Sequence, residues 1–217
     1  MSSPLPIPLS SDQPVTVRPA NCEDADVLVE LAMLVDLHRP ADEVPAAVEP
    51  MRLALTVQTL QGPLSHGLNH FLLAEDDGEA VGMIACGPPL WIAEHPGIPR
   101  FLRTRLVQRV STIHSLAVRP AHRGRGIARL LLDRAEEDFR QAGYGVLLLR
   151  HERALDGFYR RLGFTSATRL VMDLPPAGWI TQTDRGWRHA AKPLAPEVSF
   201  TTVQGTPAIT GILSTRT

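Results

Sequence analysis

Apolar positions along the chain switch between a helical and a strand period, and the switches mark its elements. Val15 to Pro19 reads as a short strand stopped by Pro19. Asn21 is placed to cap a following helix, with Asp24 and Asp26 favourable in its first turn. Leu28, Leu31, Ala32 and Val35 then recur on one helical face, and Arg39-Pro40 ends it. Val44, Val48, Met51 and Leu55 predict a second helix, interrupted by Pro45 and Pro50. Phe71 to Ala74 and Val81 to Cys86 read as a hairpin around Asp77-Gly78, and Gly87-Pro88-Pro89 stops it. Val110 to Val118 is the next strand. Ile127 to Ala142 is a helix with Leu131, Ala135 and Phe139 in one stripe, closed by Gly143. The unbroken apolar run Val146 to Leu149 reads as a strand buried on both faces. Arg153 to Leu162 is a helix with Leu155, Phe158, Tyr159 and Leu162 on one face, and Phe164 to Leu174 is a last strand. Residues 90–109 carry Trp91, Pro96, Gly97, Pro99 and four arginines, and read as a long strand connection or a lid. Residues 177–217 show only weak strand signals, at Val198 to Val203 and Ala208 to Leu213.

The order β-α-α-β-β-β-α-β-α-β implies an α/β chain: a central mixed sheet with helices on both faces. Residues 1–13 form a Pro/Ser-rich leader and residues 14–174 one domain. Residues 175–217 form a C-terminal extension, strand-forming or partner-contacting. Of 217 residues, 44% are hydrophobic and 21% charged, which sets aside bulk disorder, collagen and coiled coil. A net charge of −1 argues against a general nucleic-acid surface. The lack of a long apolar run argues against a membrane span, and the lack of a basic n-region against a signal peptide. Cys22 and Cys86 have no CxxC partner and read as free thiols of a cytoplasmic protein. Lys192 is the only lysine.

The segment His114-Ser-Leu-Ala-Val-Arg-Pro-Ala-His-Arg-Gly-Arg-Gly-Ile-Ala-Arg carries the chemistry. A strand enters a glycine-punctuated loop that opens a helix. Backbone N–H groups and the positive helix end then converge, which suits a pyrophosphate. Gly124 and Gly126 let the backbone approach, and Arg123 and Arg125 can add charge-assisted contacts. Three readings compete: an ordinary strand–helix turn, a dinucleotide fingerprint, and an acyl-coenzyme A site. The second is weakened by Arg129, where close helix packing wants Gly or Ala. A P-loop would need Gly-Lys-Ser/Thr after the glycines.

Arg123-Gly-Arg-Gly126-Ile-Ala128, the preceding Leu116-Ala-Val118-x-Pro120 and the later Phe158-Tyr159-Arg-Arg-Leu-Gly163-Phe164 together resemble the GNAT N-acetyltransferase family. The resemblance spans roughly residues 14 to 174. It implies a GNAT-like acyl-CoA N-acyltransferase fold and acetyl transfer from acetyl-CoA to a small-molecule or peptide amine, with no metal. It places the cofactor on Leu116, Ala117, Val118, Arg123, Gly124, Arg125, Gly126, Ile127, Ala128, Glu152 and Tyr159, between two strands that splay apart. Glu152 is a departure, because the family usually has asparagine there. The alternative is therefore a non-catalytic acyl-CoA-binding module, with an oxidoreductase a distant third.

By the same resemblance Tyr159 is the general acid that protonates the leaving thiolate. His114 is the candidate base, in the position of a catalytic histidine of arylalkylamine N-acetyltransferases, and strand alternation puts Thr112, His114 and Leu116 on one face. Other features weigh less. His66 and His70 have metal spacing but no third ligand nearby. Trp91, Trp179 and Trp187 pack or anchor by default, with an acceptor pocket as the alternative. Asp42, Glu43 and Glu49 read as a solvated face that could attract a cationic amine. The acceptor side would be built from residues 38–66, 90–109 and the tail. Whether the chain forms a homodimer stays open.

Overall fold

A computed structural model of the protein describes residues 14–35, 44–56 and 64–214. The chain runs through β1 (Thr16–Pro19), α1 (Ala25–Met33), α2 (Val44–Thr56), β2 (His70–Asp76), β3 (Glu79–Gly87), α3 (Trp91–Glu94) and α4 (Arg100–Val107). It continues through β4 (Val110–Val118), α5 (Ile127–Gln141), β5 (Val146–His151), α6 (Asp156–Arg161), β6 (Thr165–Ala167) and β7 (Leu170–Asp173). The last strands are β8 (Trp179–Gln182), β9 (Arg188–Pro193), β10 (Ser199–Val203) and β11 (Thr206–Thr210). A seven-stranded sheet has the order β1-β2-β3-β4-β5-β9-β6, and a four-stranded sheet the order β10-β11-β7-β8. In the large sheet only β4 and β5 run parallel.

Three apolar clusters hold these layers. On one face of the large sheet, Leu131 and Phe139 of α5 pack on Ile84, Leu147 and Tyr159. On the other, Leu28 and Leu31 of α1 and Leu55 of α2 pack on Leu73, Met83 and Ala117. The third joins Leu102 and Leu106 of α4 to Val146 and Leu148 of the large sheet and Ile180 and Ile209 of the small one. Tertiary burial of this kind supplies most helical stability, which is how α2 survives Pro50 in its interior. Asn21 accepts from Glu23 N and Asp24 accepts from Asn21 N, both at 2.8 Å, closing a capping box ahead of α1. Arg18 clamps Asp24 (2.7 Å) and Glu75 (2.8 Å), tying this turn to β2.

Three readings of the sequence are corrected. Residues 90–109 join β3 to β4 as a strand connection, but not a bare one: they form α3 and α4, and the buried Leu102, Leu106 and Val107 of α4 lie among arginines that masked the stripe. The strand expected over Phe164–Leu174 is split, with β6 joining the large sheet and β7 the small one. The tail carries two strands beyond the expected signals, β8 and β9, and β9 enters the large sheet between β5 and β6. The Asp42–Glu43 part of the acidic cluster, within residues 38–43, and residues 57–63 lie outside the described residues.

Candidate active site

β4 and β5 pair only from Val110↔Val146 to Ile113↔Leu149. Beyond that point β4 runs on to Val118 and β5 to His151 without pairing, so the sheet opens. A cavity of about 640 Å³ fills the opening, lined by Thr112–Leu116, Leu148–Glu152 and Tyr159 among others. Arg119 N donates to Val81 O (2.8 Å) and Ala117 sits opposite Met83. Alternation therefore turns the backbone groups of Leu116 and Val118 away from β3, toward the open edge. Arg123 Nε confirms this direction by donating to Val118 O at 3.1 Å. Ala117 presents nothing to the open edge: its backbone is turned toward β3, and its side chain is buried under α1.

The loop Arg123–Ala128 follows. Gly124 and Gly126 have φ of 80° and 81°, and a Cβ at either would meet nothing within 4 Å. Gly126 is the N-cap of α5 and has no side chain to cap it, so the Ile127 and Ala128 N–H groups stay open to a ligand, while Arg129 N donates to Gly126 O at 3.0 Å. Ile127 anchors the helix start in the core. Arg125 is bound to Asp76 at 2.5 Å, and its guanidinium holds the Asp76 carboxyl below its ordinary value.

His114 occupies a position that strand alternation does not predict. Cys86 lies opposite Ile113 and Ala85 opposite Ser115, so His114 is the extra residue of a β-bulge. The expected common face of Thr112, His114 and Leu116 is thereby broken: Ile113 and Leu116 join one core cluster, and His114 is turned into the cleft. His114 is an exposed residue that lines the cavity. A Cβ at Gly87 would stand 3.2 Å from His114 Nε2 and 2.5 Å from Asn69 Oδ1, so a larger residue there would push the Asn69 side chain aside and crowd the imidazole. Desolvation is the main cause lowering the imidazole pKa, helped by the charge of Arg150 and opposed by a hydrogen bond to the Pro88 backbone.

Tyr159 is buried among His151 (5.0 Å between ring centroids), Phe158 (5.0 Å) and Phe164 (5.9 Å), and also lines the cavity. Burial raises its phenol pKa. Its hydroxyl has no hydrogen-bond partner among the described residues. The same cavity thus receives His114, Leu116, Glu152 and Tyr159, while the glycine loop lies at the far end of the open β4 edge.

Residues 31–164 match the Acetyltransferase (GNAT) family. The chain belongs to the GNAT acetyltransferase family. Its fold is that of solved GNAT proteins. One is yncA of Salmonella typhimurium with its cofactor acetyl-CoA (TM-score 0.57, 19% identity, 86% of this chain and 98% of that one). Another is the paia N-acetyltransferase of Thermoplasma acidophilum in complex with coenzyme A (0.53, 15%, 83% and 99%). A third is the ribosomal-protein-S18-alanine N-acetyltransferase of Escherichia coli (0.51, 15%, 83% and 94%). No curated protein matches the chain.

This GNAT chain also brings to its cleft residues that the motifs did not single out. His151 lines it from the end of β5, and Gln182, Asp184 and His189 from the tail. Trp91 and Trp187 line it too, whereas Trp179 is exposed elsewhere. Arg150 lies 5.5 Å over the Trp187 ring and 3.5 Å from Asp184. Only the β9 register, pairing Arg150 with His189, brings these tail residues to β5, and short-range pattern cannot supply it. His66 is exposed and His70 is held by Asp138 at 2.7 Å. Among the described residues no group of three His, Cys, Asp or Glu could hold a metal ion, and no helix is long and apolar enough to cross a membrane.

Proposed function

We propose that this protein transfers the acetyl group of acetyl-CoA to an amine by direct attack. The observation that carries this is the parting of β4 and β5, which puts an open strand edge, His114 and Tyr159 on one cavity. The residues fit the co-substrate. Backbone at Leu116 and Val118 suits the pantetheine amides, and a Leu116 N–H suits the thioester carbonyl. Arg123, Gly124, Arg125, Gly126, Ile127 and Ala128 suit the diphosphate, with Ile127 and Ala128 offering N–H groups of the helix start. Glu152 contributes through its backbone.

Freeing an alkylamine of pKa about 10.4 at pH 7 costs about 4.6 kcal/mol. His114, its pKa lowered, is neutral at that pH and takes the proton through water. The amine nitrogen bonds to the carbonyl carbon, the C–S bond breaks, and the departing sulfur takes the Tyr159 proton; the second proton of the attacking nitrogen, shed through water in the cleft, leaves a neutral amide and restores the Tyr159 phenol. From a phenol of pKa about 10 to a thiolate of about 8.5 this transfer is uphill by roughly 2 kcal/mol. Burial of Tyr159 widens the gap, so proton transfer accompanies C–S cleavage. The acceptor is a small-molecule or peptide amine. An exposed Cys22 and a buried Cys86, both free, suit the cytoplasm.

Thermal shift and thiol release test this together. Acetyl-CoA at about 100 times its Kd should add about 2.7 kcal/mol, roughly 5–11 °C at this size. No shift refutes the cofactor site. A shift without thiol release over an amine panel leaves a binding module. Tyr159→Phe should cut kcat about 10²- to 10⁴-fold with the shift intact, and an unchanged kcat removes Tyr159 from the chemistry.

A further inference from the structure

His151 is the most enclosed titratable group beside the cleft, and the chemistry above does not use it. Its side chain is 0% exposed, yet it sits on the cavity wall with its ring 5.0 Å from that of Tyr159. Both ring nitrogens are engaged. Nδ1 is 2.8 Å from the Glu152 carbonyl oxygen, which can only accept, so Nδ1 carries a proton. Nε2 is 2.9 Å from Ser166 Oγ. Arg188 Nε donates to the same Oγ (3.0 Å) and lies 2.9 Å from Asp156 Oδ1. The Ser166 hydroxyl, followed by the charge of Arg188, holds the Asp156 carboxyl below its ordinary value.

The members come from four elements: His151 ends β5, Asp156 starts α6, Ser166 lies in β6 and Arg188 starts β9. Asp156 stands three residues before Tyr159 on α6, one helical turn away. The network therefore fixes the start of the helix that carries Tyr159 and the ring against which Tyr159 rests. The Tyr159 hydroxyl takes no hydrogen bond among the described residues, so ring packing is what aims it. A full set of hydrogen bonds around a fully enclosed histidine rigidifies its surroundings. Proton donors in active sites lose rate steeply when misplaced by about 1 Å.

We propose that His151, held by Ser166, Asp156 and Arg188, is the positioning residue for Tyr159 and sets the aim of its phenol at the leaving sulfur. This rests on the assignment of Tyr159 as the acid. In this role the imidazole acts through the tyrosine and not on the reacting atoms.

The test is a double-mutant cycle on kcat with His151→Phe and Tyr159→Phe, reading acetyl-CoA affinity alongside by thermal shift. His151→Phe keeps a ring under Tyr159 but abolishes both hydrogen bonds. Alone it should lower kcat about 10- to 100-fold with acetyl-CoA affinity unchanged; in the Tyr159→Phe background it should cost less than threefold. The same factor in both backgrounds, no loss at all, or a loss that follows acetyl-CoA affinity would each overturn the proposal. Should His151→Phe fail to fold, Ser166→Ala removes only the Nε2 partner, and the same non-additivity is required of it. A wild-type kcat for Tyr159→Phe alone would instead remove the acid assignment, an outcome read from a separate corner of the cycle.

Discussion

Lys192, the only lysine in the chain, offers the sharpest test of what holds the active-site helix in place. From β9 its ammonium reaches Glu136 of α5 at 2.5 Å and the Leu162 carbonyl, just past α6, at 2.8 Å. Its stem packs against Gly163, and the ammonium lies 5.8 Å over the Phe164 ring. Glu136 is 7% exposed and Lys192 23% exposed. Lys192→Met would leave that carboxylate with Arg140 at 3.9 Å as its remaining cation, and would strip a donor from the end of α6. Breaking one side of a buried pair costs about 3–5 kcal/mol. Partial access of water to Lys192 argues for the lower end, about 3 kcal/mol, or roughly 6–12 °C in Tm. Glu136→Leu should cost less, about 1.5 kcal/mol, since the ammonium keeps the Leu162 carbonyl and can reach solvent. The double variant should also lose only about 1.5 kcal/mol, because an apolar pair of similar volume replaces the ion pair. Urea denaturation with linear extrapolation measures all four corners. A Lys192→Met loss under about 1 kcal/mol, or additivity within about 0.5 kcal/mol, would refute this account.

His114→Gln should lower kcat/KM about 10²-fold and remove the limb in which kcat/KM rises with pH through the imidazole; an unaltered pH profile would release His114 from its role. At the other end of the sheet, the Arg18 hydrogen bond holds the Asp24 carboxyl down despite partial burial. A depressed carboxylate stabilises above its unfolded value and ceases to as pH falls through its folded one. The stability advantage of wild type over Arg18→Met should therefore be flat above about pH 5 and shrink below about pH 4. An advantage independent of pH would mean that the guanidinium contributes only packing.

Local periodicity made most elements legible. The Asp77-Gly78 turn has positive φ at both residues (52° and 80°), as the hairpin signal requires. The stripe Leu131, Ala135 and Phe139 is buried as expected. What escaped depends on partners distant in sequence. β9 reads RHAAKP, a polar and small-residue run, and is a strand because β5 and β6 flank it. The split of 164–174 is a change of sheet, which alternation cannot register. At the site, the loop Arg123–Ala128 and Tyr159 stand out by residue type and spacing. The bulge at His114 does not, because an inserted residue shifts the parity of everything after it. His151 carried no signal, since its significance lies in Ser166 and Arg188, contributed by β6 and β9.

The strand order sets a schedule for synthesis. β5 ends at His151, but its antiparallel neighbour β9 begins only at Arg188. At roughly 5–20 residues per second, the stretch between them takes about 2–7 s to make. During that interval an emerging Val-Leu-Leu-Leu segment presents a bare edge, the kind of apolar template that captures other chains. Yield in a cell is then governed by how fast residues 188–193 arrive and dock. Slow codons placed between His151 and Arg188 should raise aggregation without altering the finished fold.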